Sequence, residues 1–151
     1  MYIARSDWKH GVAVWWYAGV VSDEEWEETF AHRRELCALS PGMAFRPSVL
    51  LVTGTEPMPN ALRRRQLCEV QDHPHYNPFI ACVNRDPRQP GITTALRWVR
   101  GRPNWDESTF LSIDQGIAWL EEKRGGRLPA LRLLTANVRR LVATNQSQSR
   151  V

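Results

Sequence analysis

The fold turns on Gly11-Val12-Ala13-Val14-Trp15-Trp16-Tyr17-Ala18. Its β-branched and aromatic residues favour a pleated, extended chain. In such a chain successive side chains alternate between faces, and here both sets are apolar: Val12, Val14, Trp16 and Ala18 on one side, Ala13, Trp15 and Tyr17 on the other. Neither face can be left in bulk water, so the stretch reads as an interior strand covered on both sides. Upstream, residues 2–7 fit an edge strand, and Trp8-Lys9-His10-Gly11 fits the turn of a hairpin.

Downstream the pattern alternates. Gly19 ends the strand, and Ser22-Asp23-Glu24-Glu25 is a capping box for a helix to about Leu39, with a stripe of Trp26, Phe30, the aliphatic stem of Arg33, and Cys37. Ser40-Pro41-Gly42 stops that helix. Residues 48–53, Ser-Val-Leu-Leu-Val-Thr, form a second doubly buried strand, and Asn60 caps a helix to about Val70 with Leu62, Gln66, Leu67 and Val70 inward. Residues 79–84 repeat the buried-strand pattern, and 92–99 carry Ile92, Leu96 and Val99 on one helix face. Residues 109–113 supply another strand, and Asp114 caps a helix bearing Ile117, Trp119, Leu120 and Glu121. The order is ββαβαβαβα, an α/β protein with a mixed sheet of about five strands.

Beyond the Gly125-Gly126 junction, Leu131, Leu134, Val138, Leu141 and Val142 recur at three and four residues, with Arg132, Arg139 and Arg140 elsewhere on the helix. The organisation is therefore a domain over 1–124, an amphipathic helical extension over 125–144 and a flexible tail over 145–151. Such a stripe packs on its own domain or docks on a second copy or another protein. In the second case Leu131, Leu134, Val138, Leu141, Arg139 and Arg140 are the candidate interaction surface.

Composition narrows the class. A chain of 151 residues, 42% hydrophobic and 24% charged, can enclose one core without metals or disulfides. The three cysteines, Cys37, Cys68 and Cys82, form no C-x-x-C pair and leave one thiol unpaired, which suits a reducing compartment. The longest apolar run, Val12 to Val21, is ten residues, against the roughly 18 a transmembrane helix needs. Polar and acidic residues precede any hydrophobic segment able to act as a secretory signal, so the expected location is the cytoplasm. Net charge is +4, concentrated in the middle: residues 60–105 hold eight basic and three acidic groups. Arg63, Arg64, Arg65, Arg85, Arg88, Arg97, Arg100 and Arg102 are scattered without a zinc, helix-turn-helix or aromatic-interleaved motif, so a solvated basic face is expected, not a nucleic-acid site.

With these segments in place, the chain resembles the SpoIIAA-like group of the STAS fold, that of sulfate transporters and anti-sigma-factor antagonists. The resemblance is carried by residues 12–19 followed by the acidic helix start, by Phe79-Ile80-Ala81-Cys82-Val83-Asn84, and by Thr109-Phe110-Leu111-Ser112-Ile113-Asp114-Gln115-Gly116-Ile117-Ala118-Trp119-Leu120. It covers residues 1–124. It implies a small mixed sheet with helices mainly against one side, used as a protein-binding switch. Switch-type relatives carry a phosphorylatable serine in an Asp-Ser-Ser-Gly stretch at the start of the second helix. Here that stretch reads Val52-Thr53-Gly54-Thr55-Glu56-Pro57-Met58-Pro59-Asn60-Ala61, leaving Thr53 and Thr55 as candidate phosphorylation sites, favoured by the nearby helix N-terminus and opposed by Glu56. The fold's distant kinship with lipid-exchange domains makes a hydrophobic ligand a second reading, with Trp15, Trp16, Tyr17, Trp26, Trp98, Trp105 and Trp119 as aromatic surface.

Catalytic patterns are sparse. The sequence has no G-x-x-x-x-G-K-[ST] loop, no G-x-G-x-x-G turn and no G-x-S-x-G elbow. His73 and His75 flank Pro74 without an obvious third ligand, and Glu24, Glu25, Glu27 and Glu28 fit a solvated helix end better than an acid/base pair. The sequence thus predicts a non-enzymatic regulatory or protein-interaction module, partnered by another protein or by itself, with no cofactor and no metal.

Overall fold

The computed structural model describes residues 1–86 and 105–150. Five strands form one sheet in sequential order: β1 (Tyr2–Asp7), β2 (Val12–Tyr17), β3 (Ser48–Thr53), β4 (Phe79–Asn84) and β5 (Asp106–Phe110). β1 and β2 are an antiparallel hairpin, with Tyr2 opposite Tyr17 and Asp7 opposite Val12. The other neighbours are parallel, which requires crossovers between them. Every residue of β2 and β3 is buried, the outcome expected of strands apolar on both faces.

The helices divide between the faces. α1 (Asp23–Leu39) and α2 (Ala61–Gln71) follow β2 and β3; Trp26, Phe30, Leu36, Cys37 and Leu67 pack against Ala13, Trp15, Tyr17, Val49, Leu51, Ile80 and Cys82. α3 (Ile113–Arg124) and α4 (Pro129–Gln148) cover the opposite face, where Ile113, Ile117, Leu120, Leu131, Val138 and Val142 meet Val12, Val14, Trp16, Leu50, Val52, Ala81 and Val83. The architecture is therefore α/β with both faces of the sheet covered, as the doubly apolar strands require, whereas the STAS resemblance implies helices mainly against one side.

The predicted capping box closes α1: Ser22 Oγ accepts from Glu25 N at 3.2 Å, and Glu25 Oε2 accepts from Ser22 N at 2.8 Å. Arg33, expected to bury only its stem, is buried to the tip of its guanidinium. Asn60 caps α2 as predicted, but the helix is rotated from the expected face: Arg63, Leu67 and Gln71 point inward and Leu62 is exposed. Arg63 reaches α1 through Asp23 (2.7 Å) and Glu27 (2.9 Å), and this pair of ion pairs turns Leu62 outward.

The last strand lies three residues earlier than predicted. Asp106 pairs with Phe79 and Phe110 with Val83, so the strand ends before Leu111. Ile113 begins α3, whose cap is Ser112, its Oγ accepting from Gln115 N, and not Asp114. β5 is only half-buried, which is why its hydrophobic pattern is weak. α4 contacts β1 and β2 and its stripe belongs to the core, so the segment read as an extension is continuous with the sheet's second layer. It remains helical to Gln148, well into the stretch read as a flexible tail. The helix expected over 92–99 lies outside the described residues. No helix of the described residues is long and apolar enough to cross a membrane.

Candidate functional site

In open parallel sheets, loops at the carboxyl ends of the strands leave the sheet together and form the usual functional edge. Here that edge is built from 53–60 after β3, 19–22 after β2 and 84–86 after β4. Gly54 adopts φ +119°, and a Cβ there would lie 2.4 Å from Asn84 Oδ1 and 2.8 Å from Asp86 N. Only a glycine lets the β3 loop run this close to the end of β4.

Glu56 folds back under the loop. Its Oε2 accepts from Gly54 N (3.0 Å) and Thr55 N (3.1 Å), and the residue is 3% exposed. Burial pushes its carboxyl above the usual carboxylate range, against the pull of those amides and of nearby Arg85. Its Oε1 is buried and has no hydrogen-bond partner among the described residues. Arg85 lies over the Trp16 ring at 4.9 Å from the centroid and donates to Tyr17 O and to Thr55 Oγ1, both at 3.3 Å. Gly19 N also donates to Thr55 Oγ1, at 3.2 Å. The loop is thereby tied to the ends of β2 and β4 at once.

Exposed apolar side chains stand beside this tied loop: Val20 is 79% exposed, Met58 50% and, on α2, Leu62 56%. Val20 and Met58 share a recess of about 270 Å³ with Trp26, Pro57 and Asn60, rimmed by Asp23 and Arg63, its lining more polar than apolar. Apolar contacts inside a charged rim have the anatomy of a protein-docking surface.

The two candidate phosphorylation sites separate. Thr53 is fully buried, its hydroxyl out of reach, whereas Thr55 is exposed with its hydroxyl beside Arg85. The candidate surface on the last helix separates as well. Leu131 and Val138 are buried in the chain's own core, Leu134 and Leu141 are half-buried, and Arg139 and Arg140 are exposed. The seam between the two buried residues is thus already occupied by the sheet.

Trp15, Trp16, Trp26 and Trp105 are buried, and Trp119 packs against Phe79 and Phe110, so these rings fill cores; Trp98 lies outside the described residues. Glu25 serves the capping box and Glu27 pairs with Arg63, so the acidic cluster does not converge. The His73 and His75 rings lie 5.4 Å apart at the surface, and among the described residues no group of three His, Cys, Asp or Glu side chains could hold a metal ion. Glu56 and Arg85 were not singled out by sequence reasoning as parts of one site. A carboxylate two residues after a glycine at a strand end is the one local sign of the former, and nothing local marks the latter. No family model matches the sequence, and neither a curated protein nor a solved structure matches the chain.

Proposed function

We propose that the chain is a non-enzymatic, STAS-like regulatory module that docks a protein partner through the carboxyl-end face of its sheet. The observation that carries this reading is the exposed apolar pair Val20 and Met58, sharing one recess beside a loop held by Glu56, Thr55 and Arg85. Exposed apolar side chains lose little entropy on docking when their backbone is already fixed. The reading agrees with the α/β order of elements and carries with it a cytoplasmic location.

A photo-crosslinking residue at position 58, expressed in the native host, tests it. The expected outcome is a discrete adduct from position 58 and none from position 136 on the exposed side of α4. Loss of the adduct on Val20→Asp would tie it to this patch. Native mass spectrometry of the same chain separates self-docking, read as a doubled mass, from docking to another protein. A monomer yielding no adduct from position 58 sinks the proposal. A second reading, a phosphoswitch, is favoured only at Thr55, where an exposed hydroxyl already faces a guanidinium that would pair with a phosphate.

A further inference from the structure

The opposite end of the sheet carries a larger recess. About 580 Å³ is enclosed between the β1–β2 turn, Phe45 and the α3–α4 junction, a size within the ~300–1,000 Å³ range of small-molecule clefts. Its walls are Val12, Phe45, Leu128, Leu133 and Leu134, and two of these, Leu133 and Phe45, are 64% and 60% exposed. The surface is therefore a greasy trough that the chain itself leaves uncovered.

Its charge is net positive. Asp7, held by His10 with Oδ2 and Nδ1 at 2.8 Å, is the one carboxylate of the wall among the described residues, set against Arg124 and Arg127. Arg124 lies over Phe45 at 4.9 Å from the ring centroid and, among the described residues, directs its guanidinium to neutral oxygens: His10 O and Gly11 O at 3.0 Å, Ser48 Oγ at 3.3 Å and Arg46 O at 3.4 Å. Arg127, also in the wall, is exposed and makes no ion pair among the described residues. Glu121 of α3 lies outside the wall and is held by Leu128 N and Arg132. α4 begins in this wall with Leu128 and Pro129, its first amide already met by that carboxylate, so the positive charge of the recess comes from the two arginines.

The geometry points to this recess as a binding site for a free single-chain carboxylate, the chemical class of a medium-chain fatty acid. The apolar wall takes the chain, and the net positive charge that Arg124 and Arg127 leave over Asp7 takes the one negative charge of the head. A neutral amphiphile would forgo the second contribution, and a cationic one would be repelled. The site lies at the other end of the sheet from the proposed docking face and does not depend on it.

Calorimetric titration of the whole chain with decanoate, decanol and decyltrimethylammonium tests the assignment. Decanoate is expected to saturate a single site, about tenfold or more tighter than decanol, with no binding of the cation. Leu133→Asp should abolish decanoate binding while leaving the thermal melt unchanged, since the side chain is exposed. Arg127→Glu should weaken decanoate toward the decanol affinity. Equal binding of the three probes, no binding of decanoate, or indifference to Leu133→Asp overturns the proposal. So does a dimer, read by light scattering, that Leu133→Asp dissolves and decanoate leaves intact, because the trough is then filled by a second copy.

Discussion

The two faces of the sheet are drawn from the same strands in alternation, yet they are built on different principles. The α3/α4 face is mainly aliphatic at its centre: Val12, Val14, Leu50, Val52 and Val83 meet Ile113, Ile117, Leu120, Leu131, Val138 and Val142, with Trp16 as the one buried ring and Phe79, Phe110 and Trp119 half-buried at its margin. The α1/α2 face is aromatic and carries a charge. Arg33, 1% exposed, places its guanidinium 4.4 Å from the Trp15 ring centroid and donates from Nη1 to Tyr17 Oη (3.0 Å) and Thr29 O (3.2 Å). No carboxylate among the described residues is ion-paired with it. A buried cation is held here by a ring face and neutral oxygens, an arrangement in which cation–π attraction contributes more than it does at a surface. The aliphatic face therefore tolerates repacking, whereas the aromatic face is fixed by directional contacts.

Arg33 gives the sharpest way to break this contrast. Arg33→Ala empties a fully buried site and removes one hydrogen bond each from the Tyr17 hydroxyl, which keeps Thr29 Oγ1, and from the Thr29 carbonyl, which keeps its place in α1. A loss of about 3–5 kcal/mol in urea unfolding is expected, the range for emptying a large buried site. Arg33→Met keeps most of the volume and removes the desolvated charge, so it should recover the greater part of that loss. If Arg33→Met is as damaging as Arg33→Ala, volume is not the issue and the cation itself organises the tyrosines around it.

The second difference is a response to alkali. Burial pushes the Tyr2 phenol well above its ordinary range and that of Tyr76, which lies against Trp105 and beside Gln71, up to about 12 from an ordinary 10.0. Both groups hold their protons more tightly in the folded chain than in the unfolded one. Their contribution is thus fully present below pH 10 and falls as pH rises from 10 towards 12. For Tyr76 the two-unit displacement corresponds to about 2–3 kcal/mol. Unfolding free energies measured across that window should decline less steeply in Tyr76→Phe than in the unaltered chain, while Val138→Ala, on the aliphatic face, leaves the slope untouched. Equal slopes in all three would remove the phenols from the account.

Legibility in the sequence follows the same division. The aliphatic stripes could be read because alternation and helical spacing are local signals: Val12 and Val14 in β2, Ile117 and Leu120 in α3, and Leu131, Val138 and Val142 in α4 all lie inward as their periodicity demands. The capping box of α1 and the Asn60 cap of α2 are equally local. What escaped depends on partners distant in sequence. The guanidinium of Arg33 is buried because Tyr17 and Trp15 wait 16 and 18 residues upstream, and Leu62 is turned outward because Arg63 finds Asp23 and Glu27 on another helix. The carboxyl-end site is of this second kind. Thr55, Glu56 and Arg85 meet only once β2, β3 and β4 are aligned. β5 was misplaced because a half-buried edge strand has little pattern to read.

The smallest effect tests how closely the aliphatic face is packed. Gly116 lies in α3 over the sheet, and a Cβ there would sit 3.1 Å from Val83 Cγ2, 3.2 Å from Leu50 Cδ1 and 3.4 Å from Ala81 Cβ. Two effects oppose each other in Gly116→Ala. The helix gains about 1 kcal/mol from replacing glycine by alanine, and the crowded methyl costs about 1–3 kcal/mol in displaced side chains. The neighbours are aliphatic tips that can shift a few tenths of an ångström, so the net loss should be about 1 kcal/mol. Leu50→Val, which withdraws the nearest methyl of that residue, should be less costly in the Gly116→Ala background than alone, because the two changes share one contact. A stabilised Gly116→Ala chain would mean that this face has room to spare and that α3 is held off the sheet by something other than its contact at Gly116.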